Sequence, residues 1–147
     1  YGPERMGAPI TAYNRISDTV IRAHSNIYEP QYVVVVDESL LEAVDVTSGL
    51  KKDGAILINT QRSKEEIVPH LKGYEGKVYT IDAHKVSMAE YFPNTPLLAA
   101  IVKVAGIMDE ETFLREMRAS FSHKFASKPE VIDGNMAALE MALKEVQ

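Results

Sequence analysis

Apolar runs and helically spaced segments alternate along the middle of the chain. YVVVVD, residues 32–37, is a continuous β-branched run with the pattern of a strand buried on both faces. ESLLEAVDVTSGL follows, with Leu40, Leu41 and Val44 at helical spacing and Gly49 placed to stop the helix. DGAILINT reads as a second buried strand behind an Asp-Gly turn. SKEEIVPHLKGYEG opens as a capped helix, Ser63 being the N-cap and Glu66 the N3 residue of a capping box. Pro69 is expected to end or distort that helix early, because its ring removes a donor and crowds the preceding turn. KVYTIDAH supplies a third strand.

From there on the pattern is helical. KVSMAEYF predicts a short helix, PLLAAIVKVAG a longer one, and DEETFLREMRASF a third with acidic residues in its first turn. In NMAALEMALKEV, Met136, Leu139, Leu143 and Val146 share one face of a last helix. Residues 7–21 are only loosely strand-like, through Ile10, Ala12 and Ile16, and RISD reads as a turn. Strands alternating with helices predict an α/β, Rossmann-like three-layer domain with a mostly parallel sheet and a helical C-terminal third.

In such sheets ligands gather beyond the carboxyl ends of the strands. That rule singles out Asp37, Asn59, Thr60 and Asp82. Short polar residues at the same places also cap the helices that follow, so both roles stand open.

Composition narrows the chemistry. With 147 residues and a net charge of −5, the chain is one globular domain with no basic run to attract a nucleic-acid backbone. The longest apolar stretch, PLLAAIVKVAGIM, carries a Lys and is too short to cross a bilayer. Cysteine is absent, which excludes a thiol nucleophile, a zinc–thiolate site and a cluster ligated by these residues. A cytoplasmic location fits that composition. There is no GxGxxG, no Walker motif and no GxSxG elbow, so an independent dinucleotide, ATP or serine-hydrolase enzyme has no support. His24, His70, His84 and His123 form no metal-ligand spacing; His84, two residues after Asp82 at a strand end, is the one worth following.

One set of motifs goes further. YGPERMGAPITAYNRISD, YVVVVDESLLEAV, GAILINT, VYTIDAHKVS, NTPLLAA and DGNMAALEMALKEV, in this order, resemble the gamma subunit of the 2-oxoacid:ferredoxin oxidoreductases. The similarity runs over essentially the whole chain and is nearest to the pyruvate and 2-ketoisovalerate members. It implies a single gamma domain over residues 1–147, without the N-terminal strand and Gly-rich loop that usually open it. It further implies a complex with alpha, beta and ferredoxin-like delta subunits that passes electrons to ferredoxin. Thiamine diphosphate and iron–sulfur clusters would lie on the partner chains, and the gamma part would help bind coenzyme A. The resemblance assigns coenzyme A contacts to Arg5, to Asn94 before the long helix and to Asn135, expected to open the last helix. An Arg fork suits phosphate, and an amide both donates and accepts. It assigns no catalytic residue and no metal ligand to this chain. An uncovered sheet edge would also favour self-association of the isolated chain. The alternative from another class is a catalytically silent α/β interaction domain whose strand-end pocket takes a partner loop.

Overall fold

The computed structural model describes residues 11–17, 19–23, 25–86 and 94–146, with the backbone alone for His84, Val86 and Asn94. Its centre is a parallel sheet of three strands in the order β1 (Tyr32–Val35), β2 (Ala55–Asn59), β3 (Lys77–Ile81). Val34 lies opposite Leu57 and Leu57 opposite Tyr79, so the three strands are in register across the sheet.

β2 is buried along its whole length, as its apolar run requires. Its side chains alternate between two cores. Ile56 and Ile58 join Val35, Leu41, Leu50, Ile67, Leu71 and Val78 on one face. Leu57 points the other way, into a cluster with Ile81, Leu97, Phe113, Met136 and Leu139. Burying each such side chain contributes roughly 1.5–3 kcal/mol, so the central strand is anchored from both sides.

The first core is closed by α1 (Leu40–Ala43), α2 (Lys64–Ile67) and a 3-10 turn over Val68–Leu71. Ser63 and Glu66 form the expected capping box, with the Ser63 hydroxyl accepting from the Glu66 amide and Glu66 accepting from the Ser63 amide. Pro69 falls inside the 3-10 turn, which ends at Lys72 in the left-handed region. The second core is built by α4 (Asn94–Ala105), α5 (Glu110–Lys124) and α6 (Pro129–Glu145), reached through α3 (Ala83–Val86). α4 touches all three strands, α6 packs on α4, and α5 packs on α6. No described helix is long and apolar enough to cross a membrane.

Four expectations are corrected. The helix predicted to run to Gly49 stops at Ala43. Asp45 accepts from both the amide and the hydroxyl of Thr47, at 3.1 and 2.8 Å, and this local turn competes with helical bonding. Gly49 is therefore a turn residue, at φ 73°, and not a helix stop. β1 is not buried on both faces: Val35 is buried, whereas Val34 and Val36 are 38% and 51% exposed, because β1 has a neighbour on one side only among the described residues. The described residues between 11 and 23 form no strand, and Ile16 is exposed. Finally, the last helix begins at Pro129, where Pro suits the first turn, and not at Asn135.

Candidate functional site

The carboxyl ends of the three strands enclose a pocket of about 350 Å³ lined by Val36, Asp37, Glu38, Asn59, Thr60, Gln61 and Asp82. All four residues singled out at the strand ends are brought together there. Parallel strands place their carboxyl ends on one side, so the turns that follow each strand converge.

Each of the four is already engaged. Asp37 accepts from the Ser39 amide at 2.9 Å, which holds its carboxyl below the ordinary range. Asp82 accepts from the Lys85 amide at 3.1 Å, at the start of α3. Thr60 donates its hydroxyl to Glu38 at 2.8 Å and accepts from the Arg62 amide at 3.0 Å. Arg62 Nε stands 3.4 Å from the same Glu38 oxygen. Asn59 is buried; its Nδ2 donates to the Val36 carbonyl at 3.0 Å and its Oδ1 accepts from the Ala83 amide at 2.9 Å. Thus Asn59, on the middle strand, ties the ends of both neighbours. Glu38, Gln61 and Arg62 were missed by the sequence reading; their only signal was the position just beyond a strand. With three carboxylates on its rim the pocket suits hydrogen-bond donors and disfavours phosphate.

The residues assigned by resemblance are Arg5, Asn94 and Asn135. Arg5 is outside the described residues. Asn94 is the first residue of α4. Asn135 is buried in the second turn of α6, where its Nδ2 donates to the Val131 carbonyl at 2.8 Å. It is therefore not the helix cap, because its amide is turned back along its own helix. α3 packs against both α4 and α6, so these two helices meet on the side of the sheet where β3 ends. His84 lies in α3, and His70 pairs with Glu42 at 2.7 Å, linking the 3-10 turn to α1. Among the described residues no group of His, Asp and Glu is arranged to hold a metal ion.

Comparison with known proteins settles the family. The profile of the pyruvate ferredoxin/flavodoxin oxidoreductase family matches residues 1–145. The chain belongs to that family. Among relatives of this family, the pyruvate/ketoisovalerate oxidoreductases common subunit gamma of Pyrococcus abyssi is 41% identical over 131 residues, covering 87% of this chain and 71% of that one. Pyruvate synthase subunit PorC of Thermotoga maritima is 41% identical over 150 residues, covering all of this chain and 76% of that one. The crystal structure of the Thermotoga maritima pyruvate oxidoreductase subunit superposes with a TM-score of 0.69 at 36% identity. That match covers 82% of this chain and 66% of the solved one. The family fold is the parallel α/β arrangement described above, as the strand and helix pattern predicted.

Proposed function

We propose that the chain is the gamma subunit of a pyruvate (2-oxoacid):ferredoxin oxidoreductase and helps bind coenzyme A. The observation that carries this reading is the family match over residues 1–145, together with relatives named as gamma subunits of pyruvate oxidoreductases. Alpha, beta and delta subunits would complete the enzyme, with ferredoxin as the electron acceptor and the cytoplasm as its location.

The 147 residues contain no cysteine, so they offer no thiolate to an iron–sulfur cluster. That fits redox centres held on partner chains, where the family resemblance also puts thiamine diphosphate. Thiamine diphosphate supplies the carbanion chemistry of decarboxylation when bound there. This chain's share is to hold the acyl acceptor. The Arg5 guanidinium offers a planar pair of donors to a phosphate. Asn135 keeps one Nδ2 hydrogen and its Oδ1 beyond the bond to Val131, and its burial fixes their direction. Asn94, opening α4, would supply the second amide.

A second reading is a scaffold domain with no ligand of its own. It draws on the strand-end pocket, whose Asp37, Asn59, Thr60 and Asp82 are all engaged in local bonds. The coenzyme A reading requires ligand contacts on this chain that the scaffold reading lacks, so the two readings differ in a measurable way. Coenzyme A affinity and turnover of the assembled complex are expected to fall about tenfold for Arg5→Ala, the effect of losing one charge-assisted contact. Asn135→Ala is expected to weaken both in the same direction. Unchanged affinity and turnover in both variants would reject these contacts and favour the scaffold.

A further inference from the structure

β3 pairs with β2 along one side, and among the described residues its other side carries no strand. A groove of about 380 Å³ runs along that side, lined by Lys64, Val68, Gly76, Lys77, Val78 and Tyr79. Lys77, Val78 and Tyr79 are consecutive and alternate between the two sheet faces. A groove that touches all three follows the strand's edge and does not sit on one face. Lys64 and Val68, from α2 and the 3-10 turn, form the opposite wall.

The groove's chemistry is unlike that of the chain as a whole. The molecule carries a net charge of −5, yet among the described residues both charged groups lining the groove are cations. The described ion pairs occupy Lys52, Arg62, His70, Lys103, Arg115 and Arg118, and none involves Lys64 or Lys77. Lys64 instead lies over the Tyr79 ring, with Nζ 5.8 Å from its centroid. Val68, which lines the groove with the two lysines, is 42% exposed. An isolated lysine on an edge strand discourages stray pairing. Here the second cation comes from a different element and stands across an apolar trough, which is the arrangement of a receptor for mixed charge and hydrocarbon.

We infer that the β3 edge receives an extended acidic segment from another subunit of the oxidoreductase. This rests on the gamma-subunit reading above. The occupant adds as a strand along Lys77–Ile81. Its backbone bonds the free edge, its carboxylates meet Lys64 and Lys77, and a branched apolar side chain covers Val68. A segment of about five residues, some 16 Å long, matches β3. The lysines select acidic over basic segments and fix the register, while the backbone bonds supply most of the holding.

The test uses the full chain, free and assembled with the other subunits of the oxidoreductase. Zero-length carbodiimide coupling joins a lysine only to a carboxylate in contact with it. We expect amide cross-links from Lys64 or Lys77 to an Asp or Glu of another subunit. Hydrogen exchange of the β3 amides should slow at least tenfold on assembly. Lys64→Glu/Lys77→Glu should weaken assembly at least tenfold, and Lys64→Gln/Lys77→Gln by less. Both pairs replace exposed side chains, and circular dichroism of the free chain checks that the fold is kept. Unchanged exchange at β3 in a complex that does form overturns the inference and leaves the gamma-subunit reading intact. Failure of the unmodified chain to join any such complex overturns both.

Discussion

Asn59 and Ala83 are joined across the strand ends by a hydrogen bond of 2.9 Å, from the first amide of α3 to the buried Asn59 side chain. The same side chain donates to Val36, just past β1. One amide therefore satisfies backbone groups at the ends of both outer strands, where regular sheet bonding has run out. Asn59→Ala is expected to destabilise the chain by about 2 kcal/mol, because it leaves a buried N–H and a carbonyl without partners. Asn59→Asp keeps the acceptor for Ala83 but sets a buried carboxylate oxygen against the Val36 carbonyl, so its urea midpoint at pH 7 should fall at least as far as that of Asn59→Ala.

Gly49 is fixed by two independent constraints. Its φ of 73° lies in the left-handed region, and a Cβ would meet the Tyr28 carbonyl oxygen at 1.9 Å. Gly49→Ala should cost more than about 2 kcal/mol, since the conformational penalty adds to a clash with backbone that cannot rotate aside. Gly73 shares a positive φ, 81°, but has open space around it. Gly73→Ala should cost only the conformational part, and thermal melts of the two variants would separate these effects.

Three exposed carboxylates give stability a defined acid dependence. The Ser39 amide lowers Asp37, the Ser63 amide lowers Glu66, and the Thr112 hydroxyl and amide lower Asp109. A carboxylate bound more weakly by protons in the folded state stabilises it above the unfolded pKa, about 4. That contribution is lost as the pH falls through the lowered folded values. Asp37→Asn/Glu66→Gln/Asp109→Asn keeps the acceptors but removes the titration. Its urea midpoint should fall less between pH 7 and pH 2.5 than that of the unmodified chain.

Tyr74 acts at the opposite end of the pH scale. Burial pushes its phenol up, and Asp53 adds to the effect, while its hydroxyl donates to the Lys51 carbonyl at 2.9 Å. A raised folded pKa stabilises the protein below the unfolded value, about 10, and the benefit disappears as pH rises through the folded one. Tyr74→Phe should lower stability at pH 7 by about 1 kcal/mol, the worth of one hydrogen bond. It should also flatten the alkaline limb, as followed by fluorescence between pH 8 and 11.

The two faces of the C-terminal helices should respond very differently to truncation. Leu139 on α6 is fully buried in the second core, whereas Leu98 on α4 is 42% exposed. Leu139→Ala should cost about 3 kcal/mol, since it leaves a cavity in the core that α6 shares with α4 and α5. Leu98→Ala should stay within about 1 kcal/mol, as a partly solvated side chain opens no cavity.

The elements legible in the sequence were those whose own residues suffice to make them. AILIN carries a buried strand in its composition, and Ser63 with Glu66 spells out a helix start four residues long. Met136, Leu139 and Leu143 mark a buried stripe by spacing alone. The misreadings share a different cause. YVVVVD has the composition of a central strand but lies at an edge of the described sheet, because a strand's pattern reports how it can pack and not where it is placed. Asn135 was expected to open the last helix, but that helix starts at Pro129, which suits a first turn, so Asn135 lies inside α6 and bonds back to Val131.

By itself, then, the sequence determined the parallel α/β class, the capped start of α2, the apolar faces of the C-terminal helices and, through ordered motifs, the family. Each of these rests on spacing, capping chemistry or motif order within short stretches of chain. The tertiary structure alone decided that Asn59 clips β1 to α3, that Glu38 and Arg62 join Thr60 at the strand ends, and that Lys64 stands across from Lys77. These residues are separated by many positions along the chain and meet only because parallel strands bring distant turns and helix starts together.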